Sequence, residues 1–224
     1  MATRRLPARE RRRQILIAAI RVFARSGYHG ATTKEIAAEA EVAEALLYRY
    51  FDSKQALFVE AMQLTASRMI RGVEEILAAH RTAPDAAVGA ILMYFKTIIE
   101  KHEEFAKMVF VITAELDNPQ IREVYLPYQE AALGAIEGAI ASWKRDGLIA
   151  PHVPGRATAW VILGCFQIIA LMKQTERIAE LQIQPVLNLV RTFITANAQA
   201  SSQLFPSSPS RATAGNGEET PSES

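Results

Sequence analysis

Apolar positions along the first third of the chain fall into groups with helical spacing. Ile15, Ala19, Val22 and Phe23 stand at i, i+4, i+7 and i+8, one face of a first helix that Gly27 is placed to end. Thr32-Thr33-Lys34-Glu35 then reads as a capping box, with Thr32 as the N-cap and Glu35 reaching back over it. Ile36, Ala37 and Ala40 form the buried side of a very short second helix. After Glu41-Val42-Ala43 a third short helix is expected as far as Phe51, with Val42, Leu47 and Phe51 pointing into a core shared with the first two. Asp52 with Gln55 is another capping pair. It opens a long helix that carries Leu57, Ala61, Leu64, Val73, Ile76 and Leu77 and ends before Pro84.

The helical period continues beyond Pro84, over roughly 85–101 and 103–116. Asn118-Pro119 is a cap followed by proline at the first helical position. The next stripe runs through Ile121, Val124, Tyr125, Tyr128, Ala132, Ile136, Ala139, Ile140 and Trp143, and Pro127 inside it is expected to kink or interrupt the helix. Gly147 and Pro151–Gly155 form a loop. Two further helices are expected at roughly 156–177 and 185–198. From about Ser201 the chain turns to Ser, Pro, Thr, Gly and Glu, which cannot bury enough apolar surface to fold. No alternating strand pattern occurs. The expected fold is all-α, with a three-helix head over 1–54, a helical body over 55–199 and a disordered tail over 200–224.

Charge sharpens this division. Residues 1–54 hold 11 Lys and Arg against 6 Asp and Glu, while the remainder holds 14 against 18. A basic head on a mildly acidic body suits a polyanionic partner for the head alone. Arg21 and Arg25 interrupt the apolar run after Ile15, which argues against a secretory signal. The most apolar stretch, Trp160 to Met172, is broken by Gln167 and is short for a membrane span, so no membrane partner is expected. The single cysteine, Cys165, fits a reducing cytosol and reads as a small core residue. The four histidines lie on different elements without metal-ligand spacing, so neither metal nor cofactor is expected. No Ser/His/Asp, Cys/His or glycine-rich phosphate constellation points to an enzyme.

Three helices with a tight turn between the second and third make the geometry that places a recognition helix in the major groove. Residues 10–58, with Gly27-Tyr28, Thr32-Thr33, Ile36-Ala37, Leu47-Tyr48-Arg49-Tyr50-Phe51 and Lys54 through Leu57-Phe58, resemble the DNA-binding region of the TetR family. The resemblance implies that Thr33, Tyr48, Tyr50 and Lys54 hold backbone phosphates and that Lys34 reaches a base or phosphate. It implies that Glu44, Ala45, Leu46 and Arg49 face base edges. Leu46 against a thymine methyl and Arg49 bidentate to guanine are the natural chemistry of those types. Arg4 and Arg5 precede the folded part as a candidate minor-groove arm. Arg11, Arg12 and Arg13 are either a solvated charge run or further phosphate contacts. The chain departs from the family pattern at Glu41, where glycine is usual, at Ala43 for a Ser or Thr cap, and at Glu44 for a frequent Lys.

For the body, the resemblance implies a small-molecule effector pocket and a homodimer built on roughly residues 156–198. The helix from Ala157 to Met172 supports the dimer independently, because it is apolar on nearly every side. Candidate pocket residues are Met69, Phe95, Phe105, Met108, Tyr125, Tyr128, Trp143 and Phe166, although plain core packing is the usual fate of such side chains. Tyr125 and Tyr128, beside Pro127, are the preferred pair. Few charges fall on inward positions, which favours an apolar or aromatic effector over a strongly anionic one. The expected function is a cytoplasmic, operator-binding repressor released by such a ligand, with an activator or a ligand-independent DNA-binding protein as the alternative.

Overall fold

A computed structural model describes residues 7–182 together with 185 and 188. The described residues form eight α-helices and a short 3-10 turn, with no strand. They are α1 (Ala8–Gly30), α2 (Thr33–Glu39), α3 (Glu44–Leu47), α4 (Lys54–Ala79), α5 (Pro84–Lys101), α6 (Glu103–Ala114), α7 (Pro119–Arg145) and α8 (Gly155–Gln174). Arg4, Arg5, the tail and most of the expected 185–198 helix lie outside the described residues.

The head closes on the α1 stripe. Ile15, Ala19, Ile20, Val22 and Phe23 are buried against Ile36 and Ala37 of α2, Leu47 of α3 and Leu57 and Phe58 of α4. The Phe58 ring meets Phe23 edge-on at 5.0 Å and lies 4.8 Å from Tyr28. Gly27 breaks α1 with φ 70° and ψ 174°, a region open to glycine alone, and the Ala31 N–H returns to its carbonyl at 3.2 Å.

Helix α4 is the common axis, packing on α1 at its head end and on α5, α6 and α7 along the body. Its N-cap is Ser53, whose hydroxyl accepts from the Ala56 N–H at 3.0 Å, and not the expected Asp52. A neighbouring oxygen-bearing residue simply falls in better register with the first turn. Asn118 caps α7 as expected, accepting from the Gln120 N–H at 3.0 Å. The expected interruption at Pro127 does not occur: α7 runs through it from Pro119 to Arg145, with the ring on the exposed side. Glycine at 155 opens α8 one residue earlier than expected. At 20 residues and mean hydropathy 1.5, α8 is long and apolar enough to cross a bilayer, contrary to the reading of Trp160–Met172 as too short. Here it packs on α5 and α7.

Candidate nucleic-acid interface and body cavity

The α2 start is fixed by its own side chains. Thr32 Oγ1 accepts from the Glu35 N–H at 3.2 Å, and Glu35 Oε2 accepts from the Thr32 N–H at 2.9 Å, so the capping box is complete. The Thr32 N–H first, and then the Thr32 hydroxyl at 2.9 Å, donate to the Glu35 carboxylate and hold it below the usual carboxylate range. Thr33 and Lys34 thereby occupy the first two helical positions, with Lys34 exposed.

The turn into α3 is a Schellman motif. The Val42 N–H reaches the Ala37 carbonyl at 2.9 Å and the Glu41 N–H reaches Ala38 at 3.0 Å, with Glu41 at φ 53° in the left-handed place where glycine is usual. Ala43 then caps α3 without a side-chain bond. Helix α3 is shorter than expected: it stops at Leu47, and tight turns carry the chain to Phe51. Leu47 and Phe51 anchor it to the core, leaving Ala45, Tyr48 and Arg49 exposed and Leu46 and Tyr50 half-buried. Thr33, Lys34, Glu44, Ala45, Leu46, Tyr48 and Arg49 thus lie on the short α2 and α3 segments and the turn that follows. Thr33 Oγ1 donates to Glu44 Oε1 at 2.6 Å and lies 3.2 Å from the Tyr48 hydroxyl.

Lys54, an expected phosphate contact, and Arg12, whose role the sequence leaves open, have partners within the chain. Lys54 Nζ donates to the carbonyls of Tyr28 at 2.9 Å, Ala31 at 3.0 Å and His29 at 3.5 Å, and sits 4.7 Å over the Tyr28 ring. Its ammonium is a strut that closes the end of α1, with all three protons engaged. Arg12, from the basic run, forms a two-bond pair with Glu60 of α4 at 2.9 and 2.5 Å and stacks 4.7 Å over Phe51. Arg13 remains exposed.

A cavity of about 190 Å³ lies in the body among α4, α5, α6, α7 and α8. Of the expected lining, Met69, Phe95, Tyr125, Tyr128 and Phe166 border it. Phe105, Met108 and Trp143 do not. Phe105 carries the Arg68 guanidinium 4.8 Å over its ring, Met108 is fully buried in packing, and Trp143 donates its indole N–H to the Arg81 carbonyl at 2.8 Å. Val109 and Ile112 of α6, Trp160, Leu163 and Gly164 of α8 and the amides of Gln129 and Gln167 are among the rest of the wall. Apart from the half-exposed Trp160, they are residues that a search for large aromatic side chains passes over. No lining residue is charged. Thr65 turns its hydroxyl onto the Ala61 carbonyl at 2.8 Å. Burial pushes the Tyr125 phenol above the usual tyrosine range, against the opposing effect of its bond to Gln129. Among the described residues no His, Cys, Asp and Glu cluster could hold a metal. Burial also raises the Cys165 thiol, which suits an unreactive packing residue.

The helices that wall the cavity also touch the head. Three residues past Ile112, Glu115 Oε2 lies 3.2 Å from His29 Nε2. At the start of α7, Gln120 Oε1 accepts from Gln55 Nε2 at 2.6 Å. The α6–α7 corner therefore meets both the α1–α2 turn and the first turn of α4.

The family model described as bacterial regulatory proteins, tetR family, matches residues 15–61. The transcriptional activator FasR of Mycolicibacterium smegmatis is 37% identical over 150 residues, which cover 66% of this chain and 65% of that protein. The fatty acid metabolism regulator protein of Bacillus subtilis is 25% identical over 153 residues, covering 67% of this chain and 77% of that one. The crystal structure of the regulator FadR from Bacillus subtilis, in complex with stearoyl-CoA, superposes with a TM-score of 0.64 at 20% identity, covering 83% of this chain and 98% of that one. That last likeness is one of fold.

Proposed function

The chain belongs to the TetR family of bacterial regulatory proteins, and from that premise we propose a cytosolic, dimeric operator-binding regulator whose DNA affinity answers to a ligand with an acyl chain that enters an uncharged cavity. The head over 1–54 reads DNA. Arg4, Arg5, Thr33, Lys34, Tyr48 and Tyr50 serve the backbone or minor groove, and Glu44, Ala45, Leu46 and Arg49 serve base edges. Lys54 acts by holding the α1 end in place. Residues 55–199 bind the ligand and the second copy, and the tail from 200 is dispensable.

The observation that carries the ligand is the uncharged cavity among α4, α5, α6, α7 and α8. A dry cavity of about 150 Å³ holds a benzene-sized ligand; this one, at about 190 Å³, takes a ring or a few methylenes as it stands. A longer acyl chain must part its walls. Moving α6 and α7 shifts Glu115 against His29 and Gln120 against Gln55, which reorients the head. A ligand shifts the balance only through this difference in affinity between two arrangements. The name of one relative, the fatty acid metabolism regulator protein of Bacillus subtilis, favours an acyl class over an aromatic one.

The dimer rests on α8, where Trp160, Val161, Ile168 and Leu171 stay exposed. Pairing this face would set two heads about 34 Å apart on successive major grooves. Binding to an operator that overlaps a promoter gives repression, which release by the ligand lifts. The activator FasR, at 37% identity, favours the second reading, activation from an upstream operator. Genomic fragments selected by the purified protein, followed by titration of the bound fragment with acyl-CoAs and free fatty acids of eight to eighteen carbons, test the proposal. Operator affinity should change with chain length. If no acyl compound alters it, the ligand class falls and the DNA-binding reading stands.

A further inference from the structure

Three side chains at the outer end of the head form a chain of hydrogen bonds. The Thr33 hydroxyl proton goes to Glu44 Oε1 at 2.6 Å, so at the 3.2 Å contact between Thr33 and Tyr48 the Tyr48 hydroxyl is the donor. Both protons that would serve phosphates are turned onto the protein, and the chain ends on an anion. Thr33 sits at the first position of α2, Glu44 at the first of α3 and Tyr48 just past its last, so one carboxylate ties the two ends of the reading surface together. A carboxylate here opposes a phosphate backbone twice, by its charge and by holding the hydroxyl donors.

We propose that Glu44 is a specificity-determining residue that holds Thr33 and Tyr48 away from DNA in general and releases them only where a base-edge amino group takes the hydroxyl's place on its carboxylate. The replacement must be a neutral donor in the major groove, the exocyclic amine of cytosine or adenine. At any other base pair, freeing the hydroxyls leaves a half-buried carboxylate without its donor beside the phosphates, and binding weakens. Glu44 therefore contributes more by rejecting the wrong duplex than by gripping the right one. This rests on the DNA-binding reading of the head.

The test compares the wild-type chain, Glu44→Ala, Glu44→Gln and the double variant Glu44→Ala with Thr33→Val. Each is titrated by fluorescence anisotropy against an operator selected from random DNA by the wild type, its single-base-pair variants and a scrambled duplex. Glu44→Ala should bind the scrambled duplex about tenfold more tightly and lose its preference at one base pair. The identity of that pair tells cytosine from adenine. Adding Thr33→Val should remove most of the gain, because the freed hydroxyl supplies it. Glu44→Gln should move the preference at that pair towards adenine, which a glutamine reads with two bonds. Equal weakening on every duplex would make Glu44 a packing residue and overturn the proposal, as would an unchanged ratio of operator to scrambled affinity. If Glu44→Ala fails to fold, Glu44→Gln decides: an unchanged ratio of operator to scrambled affinity overturns the proposal. A wild-type chain that selects no DNA would sink the DNA-binding reading instead.

Discussion

The head and the body are built from the same kind of amphipathic helix, yet they are finished to different degrees. In the head, Ile15, Ile20, Val22, Phe23, Ile36, Leu47 and Phe58 have no exposure at all. In the body, a cavity remains inside, and Val161, Ile168 and Leu171 of α8 stay 64%, 60% and 55% exposed outside. A unit that must present a fixed surface to DNA closes its own core. A unit that answers to other molecules leaves one place unfilled and another uncovered.

The largest effect that would break this contrast is at Phe58, which touches Phe23 and Tyr28 together. Phe58→Ala should cost about 3–5 kcal/mol in chemical denaturation; a loss near 1 kcal/mol would mean the head is as loosely packed as the body. Next comes the uncovered face. Ile168→Asp should turn a dimer into monomers at micromolar concentration by light scattering, because the charge would be buried unpaired. A wild-type monomer at that concentration would refute the assignment of α8. Filling space separates the two regions directly. Ala19→Leu in the head should destabilise by about 1–3 kcal/mol, whereas Ala132→Leu at the cavity wall should be neutral or stabilising and should blunt the response to acyl ligands. Equal thermal shifts for the pair would deny the difference in packing.

Two smaller effects refine the head. Glu41→Gly should raise stability by about 1 kcal/mol in thermal melts, since glycine adopts φ near 53° without the strain that glutamate bears. Smallest is the pH dependence of the α2 cap. Glu35 has its carboxyl depressed by the Thr32 N–H, so its contribution is full above the ordinary carboxylate range and is lost as pH falls through its lowered value. The stability gap between wild type and Glu35→Ala should therefore shrink on acidification, and a gap that grows would reverse the sign.

Legibility followed how local each signal is. The Thr32–Glu35 cap and the Asn118-Pro119 start were readable because residue types at fixed spacing determine them. Ser53 displaced Asp52 because both can cap and only the register of the following turn chooses between them. Pro127 looked like a break, but a proline on the exposed side of a long helix costs one hydrogen bond and no packing. The cavity was half legible. Side-chain size placed Met69, Phe95, Tyr125, Tyr128 and Phe166 near it, but nothing in size tells which side of a layer Phe105 or Met108 will take. Trp143 was lost to a carbonyl sixty-two positions earlier in the chain, at Arg81. The partners of Lys54 and Arg12 were hidden for the opposite reason: a cation in a basic head suggests phosphate, while folding brings carbonyls to Lys54 and a carboxylate to Arg12.

The body cavity also makes this chain unequal under compression. Hydrostatic pressure favours whichever state occupies less volume, and unfolding abolishes an internal void by letting water in. The space of about 190 Å³ is bordered by body helices alone and opens beside Trp160 of α8, so once pairing covers that mouth squeezing works on the body and finds little purchase on the head. A bound acyl chain would occupy that volume and remove the advantage of collapse. Pressure and ligand thus act as opposed forces on one empty space, with the head a bystander to both until α6 and α7 move.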